Sequence, residues 1–398
     1  MIPSVRTIYN ESFSRDKYEA FLRDLDRPHP GAVEFRVAET PVFVPASFLR
    51  QMEDACTYIL SLIEDPLFKQ RTEKAIPDAE RVKGENGHPH FISFDFGVCR
   101  NEDGELEPQL IELQAFPTLF AFQVLLSESY QANFSIPDSF SYLLGGYSRE
   151  SYLSLLRDML VGHTPVEEVI LLEVRPHEQK TRIDFYCTED YLGIRPVCIT
   201  ELIPEGRSLY YLRDGKKTRV RRIFNRIIFD DLRAQRDSLG PIIDITGDWD
   251  VEWLSHPNWF YRVSKYMLPM MRHTQVPEAY FLNEIKQIPS DLGGFVLKPL
   301  FSFAGQGVLI DVTHADLDAI PDPENWILQR KVDYADCIAT PDGPAKCEIR
   351  LMYFWKDGEA HAVPANNLAR LSKGKMIGTR YNKDKTWVGG SSAFFERF

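Results

Sequence analysis

The stretch Phe295–Val312, FVLKPLFSFAGQGVLIDV, sets a single lysine, Lys298, in an apolar run. Ser302-Phe303-Ala304-Gly305-Gln306-Gly307 and a second apolar run follow. Small residues in such a turn let main-chain N–H groups approach a ligand closely, and the lysine before it adds a point charge. Together they suit the oxygens of a nucleotide triphosphate. The stretch lacks the Gly-Lys-Ser/Thr ending of a P-loop and continues as strand, so it reads as a hairpin, and a glycine-rich hairpin by itself is more often just a turn. His88-Pro89-His90 puts two imidazoles on one side of an extended segment, an arrangement that suits a metal. With no third ligand at clear spacing, it is expected to be a loop. No HExxH, GxSxG or Cys–His signature is present.

Several elements have to position these groups. Upstream, VSKYMLPMMRHTQVPEAYFL predicts a helix bearing Lys265, then a strand after Val276-Pro277. Downstream, NWILQRKVDYA predicts an apolar strand interrupted by Gln329-Arg330-Lys331, with acids beyond. A hairpin turning at Asp357-Gly358 comes next, with Arg350 and Arg370 at its two ends. Much earlier, Phe91–Cys99 and Gln109–Gln114 read as strands flanking a turn at Asp103-Gly104. Alternation puts Glu112 and Gln114 on one face and allows Asp95 to join them. Residues 15–65 read as helices, and 165–235 as a small α/β unit ending in a hairpin at Asp214-Gly215. That hairpin carries six cations between Arg213 and Arg222, as a solvated edge strand does.

The ordered set of lysine helix, Lys298-Pro299 strand, glycine loop, hinge strand and arginine hairpin resembles the ATP-grasp superfamily over about 255–398. The resemblance implies that Lys265 and Lys298 contact ATP phosphates while the loop bearing Ser302, Gly305, Gln306 and Gly307 closes over them. It further implies that the hinge, Gln329, Arg330 and Val332, offers backbone groups to adenine, with Asp333 or Asp336 near the ribose. Arg350 and Arg370 would face the γ-phosphate or an acyl-phosphate. Superfamily members usually carry their metal acids after the arginine hairpin, but here FDFGVCRNEDGELEPQLIELQAFPT, far upstream, has the required shape. That order resembles the circularly permuted branch, which includes glutathionylspermidine synthetase-like proteins. It implies Mg2+ held by Asp95, Glu112 and Gln114, and substrate contacts from Arg226 and from Lys375 and Arg380 in the basic closing segment. Two residues depart from the pattern: Gln114 stands where the family has asparagine, and Ser93 where the synthetases have a substrate-binding arginine.

The expected fold is therefore α/β (α+β), a circularly permuted ATP-grasp with a small Rossmann-like pre-ATP-grasp domain. Residues 1–160 would form a helical region plus the acid-bearing hairpin, 161–245 the small domain, and 246–398 the ATP-binding part, packing with 80–125. The implied reaction is ATP-dependent carboxylate–amine ligation through an acyl-phosphate, releasing ADP and phosphate. A nucleotide-binding protein without ligase activity and a phosphotransferase are the alternatives. The chain's 398 residues allow about two or three domains. A net charge of -12 argues against nucleic acid as a partner, leaving small carboxylate and amine substrates. Six scattered cysteines without a CxxC pair fit reduced thiols in the cytoplasm. No apolar run approaches the roughly 18 residues of a membrane span, so no membrane partner is expected.

Overall fold

A computed structural model describes residues 1–301, 307–374, 377, 382 and 384–397. At its centre is a five-stranded antiparallel sheet. In spatial order its strands are Gly389–Ser391, Val363–Ser372, Lys346–Phe354, Phe91–Arg100 and Leu106–Gln114. One face is largely apolar: Phe94, Phe96, Val98, Ile349, Leu351, Ala369 and Leu371 belong to the core built with the helix Ala46–Ile63. That helix buries Phe48, Leu49, Met52, Ala55, Cys56, Ile59, Leu60 and Ile63, a spacing of three and four that forms one stripe. Pro66 stops it, because the residue before a proline is disfavoured in the α region. Each large side chain buried in this contact stabilises the fold by roughly 1.5–3 kcal/mol.

The sheet's other face is divided. Phe91, Met352, Phe354 and Leu368 meet a second core built with the helix Phe122–Asn133, whereas Asp95, Glu348, Arg350 and Arg370 occupy the remainder.

A second antiparallel sheet orders Ala279–Phe281, Trp326–Arg330, Phe295–Pro299 and Leu309–Ile310. Phe295, Leu297 and Leu328 face a small core of their own with Leu292, Val312 and Leu317. The opposite face carries Ala279 and Ile327, which belong to the main core, and with them Lys298 and Gln329, fixed there by register. A third, parallel sheet orders Glu252–Leu254, Arg222–Asn225, Val169–Glu173 and Arg195–Cys198. Its central strand Val169–Glu173 is buried along its whole length, as a strand covered on both faces must be. The adjoining hairpin turns at Asp214 (φ 51°) and Gly215 (φ 77°), the pair of positive φ values that a two-residue turn matched to strand twist requires.

Two local expectations are corrected. The helical reading of 15–65 fails between Asp26 and Ala46, where Pro28, Pro30, Pro41 and Pro45 remove helix donors and Val42–Val44 forms a strand instead. Lys265 is not on an α-helix. The α-helix Pro257–Arg262 ends before it, and Lys265–Met270 is a 3-10 turn containing Pro269. Among the described residues no helix is long and apolar enough to cross a membrane.

Candidate active site

The polar half of the central sheet is assembled by register. Asp95 lies opposite both Arg350 and Glu112, Glu348 lies opposite Arg370, and Ser93 lies opposite Gln114. All of these side chains therefore leave the same face. Arg350 grips Asp95 through two bonds, Nε to Oδ1 at 2.5 Å and Nη2 to Oδ2 at 2.6 Å. A second guanidinium arrives from Arg370, whose Nη2 donates to Oδ2 of Asp95 at 2.7 Å and lies 3.5 Å from Glu348. The hydroxyl of Tyr334 also donates to Glu348. Burial pushes the Asp95 carboxyl up, but Arg350 and Arg370 outweigh it and hold the group below the usual carboxylate range. Glu348, equally enclosed, is raised by burial. Burial also opposes the charge on Arg370, yet Asp95, Glu348 and Glu112 together raise its pKa.

Next to Asp95 the ladder slips by one residue: Asp95 pairs with Glu112, while Phe96 pairs with Leu110. Ile111 is the extra residue of this bulge. A bulge releases backbone groups from the ladder, and here the Ile111 carbonyl accepts from Lys298 Nζ at 3.1 Å. The neighbouring Glu112 pairs with Lys265 at 3.0 Å. Thus both lysines reach the acid-bearing strand from other elements. Burial pushes the Lys298 ammonium down to about 8, with Glu112 raising and Lys265 lowering it further. Two residues beyond Ile327, the amide of Gln329 is 2 % exposed, and among the described residues neither its oxygen nor its nitrogen has a hydrogen-bond partner.

A second cationic arm comes from the parallel sheet. Arg226 directly follows the strand Arg222–Asn225, at the carboxyl end of the sheet where ligands of open α/β sheets collect. Its Nη1 donates to the Thr118 carbonyl at 3.0 Å, and Arg350 Nη1 lies 3.2 Å from the hydroxyl of the same threonine. Thr118 thereby ties Arg226 to the Asp95 cluster. The Arg226 guanidinium lies over Phe116 and Phe185, and its Nε is buried without a hydrogen-bond partner among the described residues. Burial lowers its pKa against the opposing carboxylates Asp184 and Glu173. Burial in turn raises Glu173 to about 8 and Asp184 to about 6.

The residues picked out in the sequence divide three ways. Asp95, Glu112, Gln114, Arg350 and Arg370 share one sheet face. Lys265 and Lys298 contact its outer strand, and Arg226 joins through Thr118. The hinge is partly committed elsewhere: Arg330 donates its amide to the Glu278 carbonyl and lays its guanidinium over Phe295, away from Lys298. Val332 is half-buried and Asp333 exposed. Gly307 has φ +74°, and a Cβ there would stand 3.0 Å from Pro299, so the position suits only glycine. Ser302, Gly305, Gln306, Lys375 and Arg380 lie outside the described residues.

Sequence reasoning missed Glu348, Tyr334 and Thr118. Glu348 was readable, since it stands two residues before Arg350 on a strand and must share its face. Nothing local signals Tyr334. Its ring covers Gly97 so closely that a Cβ on that glycine would meet it at 2.8 Å.

The residues present suit a nucleotide and a hard cation. The buried, unpaired amide of Gln329 can both donate and accept, as the edge of a purine base requires. Asp95, Glu112 and Gln114 offer the oxygen donors that Mg2+ prefers, although Asp95 and Glu112 here meet arginine and lysine.

No protein-family model matches the chain, and no curated protein matches it. Among solved structures it is similar to a glutathione synthetase-like effector from Globodera pallida, solved in its apo form, at a TM-score of 0.58 and 12% identity. The match covers 100% of this chain and 99% of that one. The chain thus has a mixed α/β fold similar to that of this glutathione synthetase-like protein.

Proposed function

We propose that this chain is an ATP-dependent carboxylate–amine ligase of circularly permuted ATP-grasp order. The observation that supports it most is the meeting of two cationic arms on one acidic sheet face. Lys265 and Lys298 come from the nucleotide side and Arg226 from the parallel sheet, while Arg350 and Arg370 lie on the face itself. In this reading Gln329 holds the base and the lysines neutralise the phosphates. Asp95, Glu112 and Gln114 would hold Mg2+, which supplies charge neutralisation across the phosphate oxygens when bound. Arg226 and Thr118 orient the acceptor carboxylate, one of whose oxygens attacks the terminal phosphorus as ADP leaves. Arg350 and Arg370 spread the charge of the transferred phosphoryl group. An amine nitrogen then attacks the acyl carbon, phosphate departs, and the amine proton passes to water.

A second reading, nucleotide binding without ligation, is favoured by one observation. Both oxygens of Asp95 are taken by guanidinium groups, and Gln114 replaces the family's asparagine beside it. The test is ADP release from Mg-ATP across a panel of carboxylate and amine pairs, run beside thermal unfolding with Mg-ATP. At roughly 100 times its dissociation constant a ligand adds about 2.7 kcal/mol of stability. ADP formed only when both an acid and an amine are present supports the ligase. A midpoint rise with no ADP from any pair supports the second reading. No midpoint rise at millimolar Mg-ATP overturns both.

A further inference from the structure

A separate group of metal-ligating side chains lies where the central sheet meets the parallel one. His90 immediately precedes the strand Phe91–Arg100, Asp357 stands in the turn after Lys346–Phe354, and Glu252 opens Glu252–Leu254. Pairing of Phe91 with Phe354 brings the first two together. His90 Nε2 lies 3.0 Å from one Asp357 oxygen, and His88 Nε2 lies 3.6 Å from the other. The donor atoms of His90, Glu252 and Asp357 all fall within 4.8 Å of one another. Ligands around a tetrahedral ion with bonds of about 2.0–2.1 Å stand about 3.4 Å apart. His90 and Asp357 stand within a few tenths of an ångström of that value, while His88 reaches only the other Asp357 oxygen and lies outside the group of three, so it would have to swing in to complete the shell.

The surroundings already orient the donors. His88 stacks on Trp355 with ring centres 4.4 Å apart, and its Nδ1 lies 3.3 Å from the Pro89 carbonyl. A proton on Nδ1 donated to that carbonyl leaves the Nε2 lone pair directed toward Asp357. Asn86 Nδ2 donates to the His88 carbonyl at 2.6 Å and faces His90 Nδ1 at 3.5 Å, so Nδ1 accepts, Nε2 carries its proton toward Asp357, and a bound ion would displace that proton. Arg222 pairs with Glu252 at 2.9 Å, so the two carboxylates and one guanidinium leave a net negative charge to receive a cation.

We propose that His88, His90, Asp357 and Glu252 bind one transition-metal ion of the Zn2+ class, which staples the parallel sheet to the central sheet. Two imidazole nitrogens select such an ion over Mg2+ or Ca2+, which take oxygen shells. The staple is independent of the nucleotide reading, because none of its ligands belongs to that cleft.

The experiment compares metal-stripped wild type with the double variant Asp357→Asn, Glu252→Gln, whose side chains are about half exposed and so leave the core intact. Zn2+ is titrated against a chromophoric chelator, and thermal unfolding is followed with Zn2+ or Mg2+ added. The expected result is one equivalent of Zn2+ bound by wild type, at least a hundredfold weaker binding by the double variant, and about tenfold weaker binding by His88→Ala. Zn2+ should raise the unfolding midpoint of wild type alone, and millimolar Mg2+ should not replace it. Absence of stoichiometric binding at micromolar Zn2+ would overturn the proposal, as would undiminished binding by the double variant.

Discussion

Replacing Lys298 with methionine should stabilise the protein while abolishing its response to nucleotide. The lysine's stem runs through the core side of the second sheet and its ammonium is buried, which lowers its pKa from 10.5 to about 8. A shift of that size means the folded state disfavours the protonated form by about 3 kcal/mol. Methionine keeps the unbranched shape without the charge. It also leaves the Ile111 carbonyl without its donor, a loss of about 1–2 kcal/mol. The net expectation is a gain of about 1–2 kcal/mol at pH 7.

The pH dependence carries the sharper signature. Below pH 8 both folded and unfolded wild type hold the proton, so the full penalty is present. Between about 8 and 10.5 the unfolded chain binds more protons than the folded one, and wild-type stability rises with pH relative to the variant. Urea unfolding of both proteins from about pH 7 to 10 measures the difference, which should hold to about pH 8, then shrink and reverse by pH 10 as wild type gains about 2.5 kcal/mol. If the Lys298→Met variant is less stable than wild type at neutral pH, or if the difference does not change with pH, the account of Lys298 as a desolvated cation is refuted.

Two further outcomes follow from the same cluster. Asp95→Asn leaves the largely enclosed Arg350 and the partly exposed Arg370 facing an uncharged amide and should cost about 3 kcal/mol in urea unfolding, most of it from Arg350, so a loss below about 1 kcal/mol would contradict the pairing. Because the Asp95 pKa is depressed on folding, its contribution is complete above the unfolded value and disappears as pH falls through the folded one. Gln329→Leu replaces an unpaired buried amide with hydrocarbon and should raise apo stability by about 1 kcal/mol. The same change should remove most of the midpoint rise produced by Mg-ATP, and an undiminished rise would exclude Gln329 from base recognition.

Much of the site was legible because strand alternation is strict. Glu112 and Gln114 had to share a face, and the turn at Asp103-Gly104 made it possible for Asp95 to point the same way, which it does, opposite Glu112. The polar Lys298 interrupting an apolar run, and Gly307 closing its loop, likewise announced that something other than packing shaped the second sheet. What one strand cannot show is which distant strand lies beside it. The pairing of Asp95 with Arg350 spans 255 positions, and no local pattern encodes it. The bulge at Ile111 was hidden too, because apolar residues fill Leu110, Ile111 and Leu113 and conceal the slip in register. Between Asp26 and Ala46 the helical reading was carried across from the periodic stretches on either side, but the prolines governed the backbone. The empty hydrogen-bonding capacity of Gln329 is a property of its enclosure and appears only in three dimensions.

The interleaving of early and late segments in the central sheet also sets a timetable for synthesis. The strand Phe91–Arg100 leaves the ribosome flanked by Leu106–Gln114 alone, and its other neighbour, Lys346–Phe354, is still untranslated. At roughly 5–20 residues per second the wait is on the order of 10–50 s. Throughout it an apolar hairpin has one unsatisfied edge, and Asp95 has no guanidinium to meet. The nascent chain therefore depends on something to shield that edge, and a ribosome stalled before Lys346 would release a product prone to pair with its own copies.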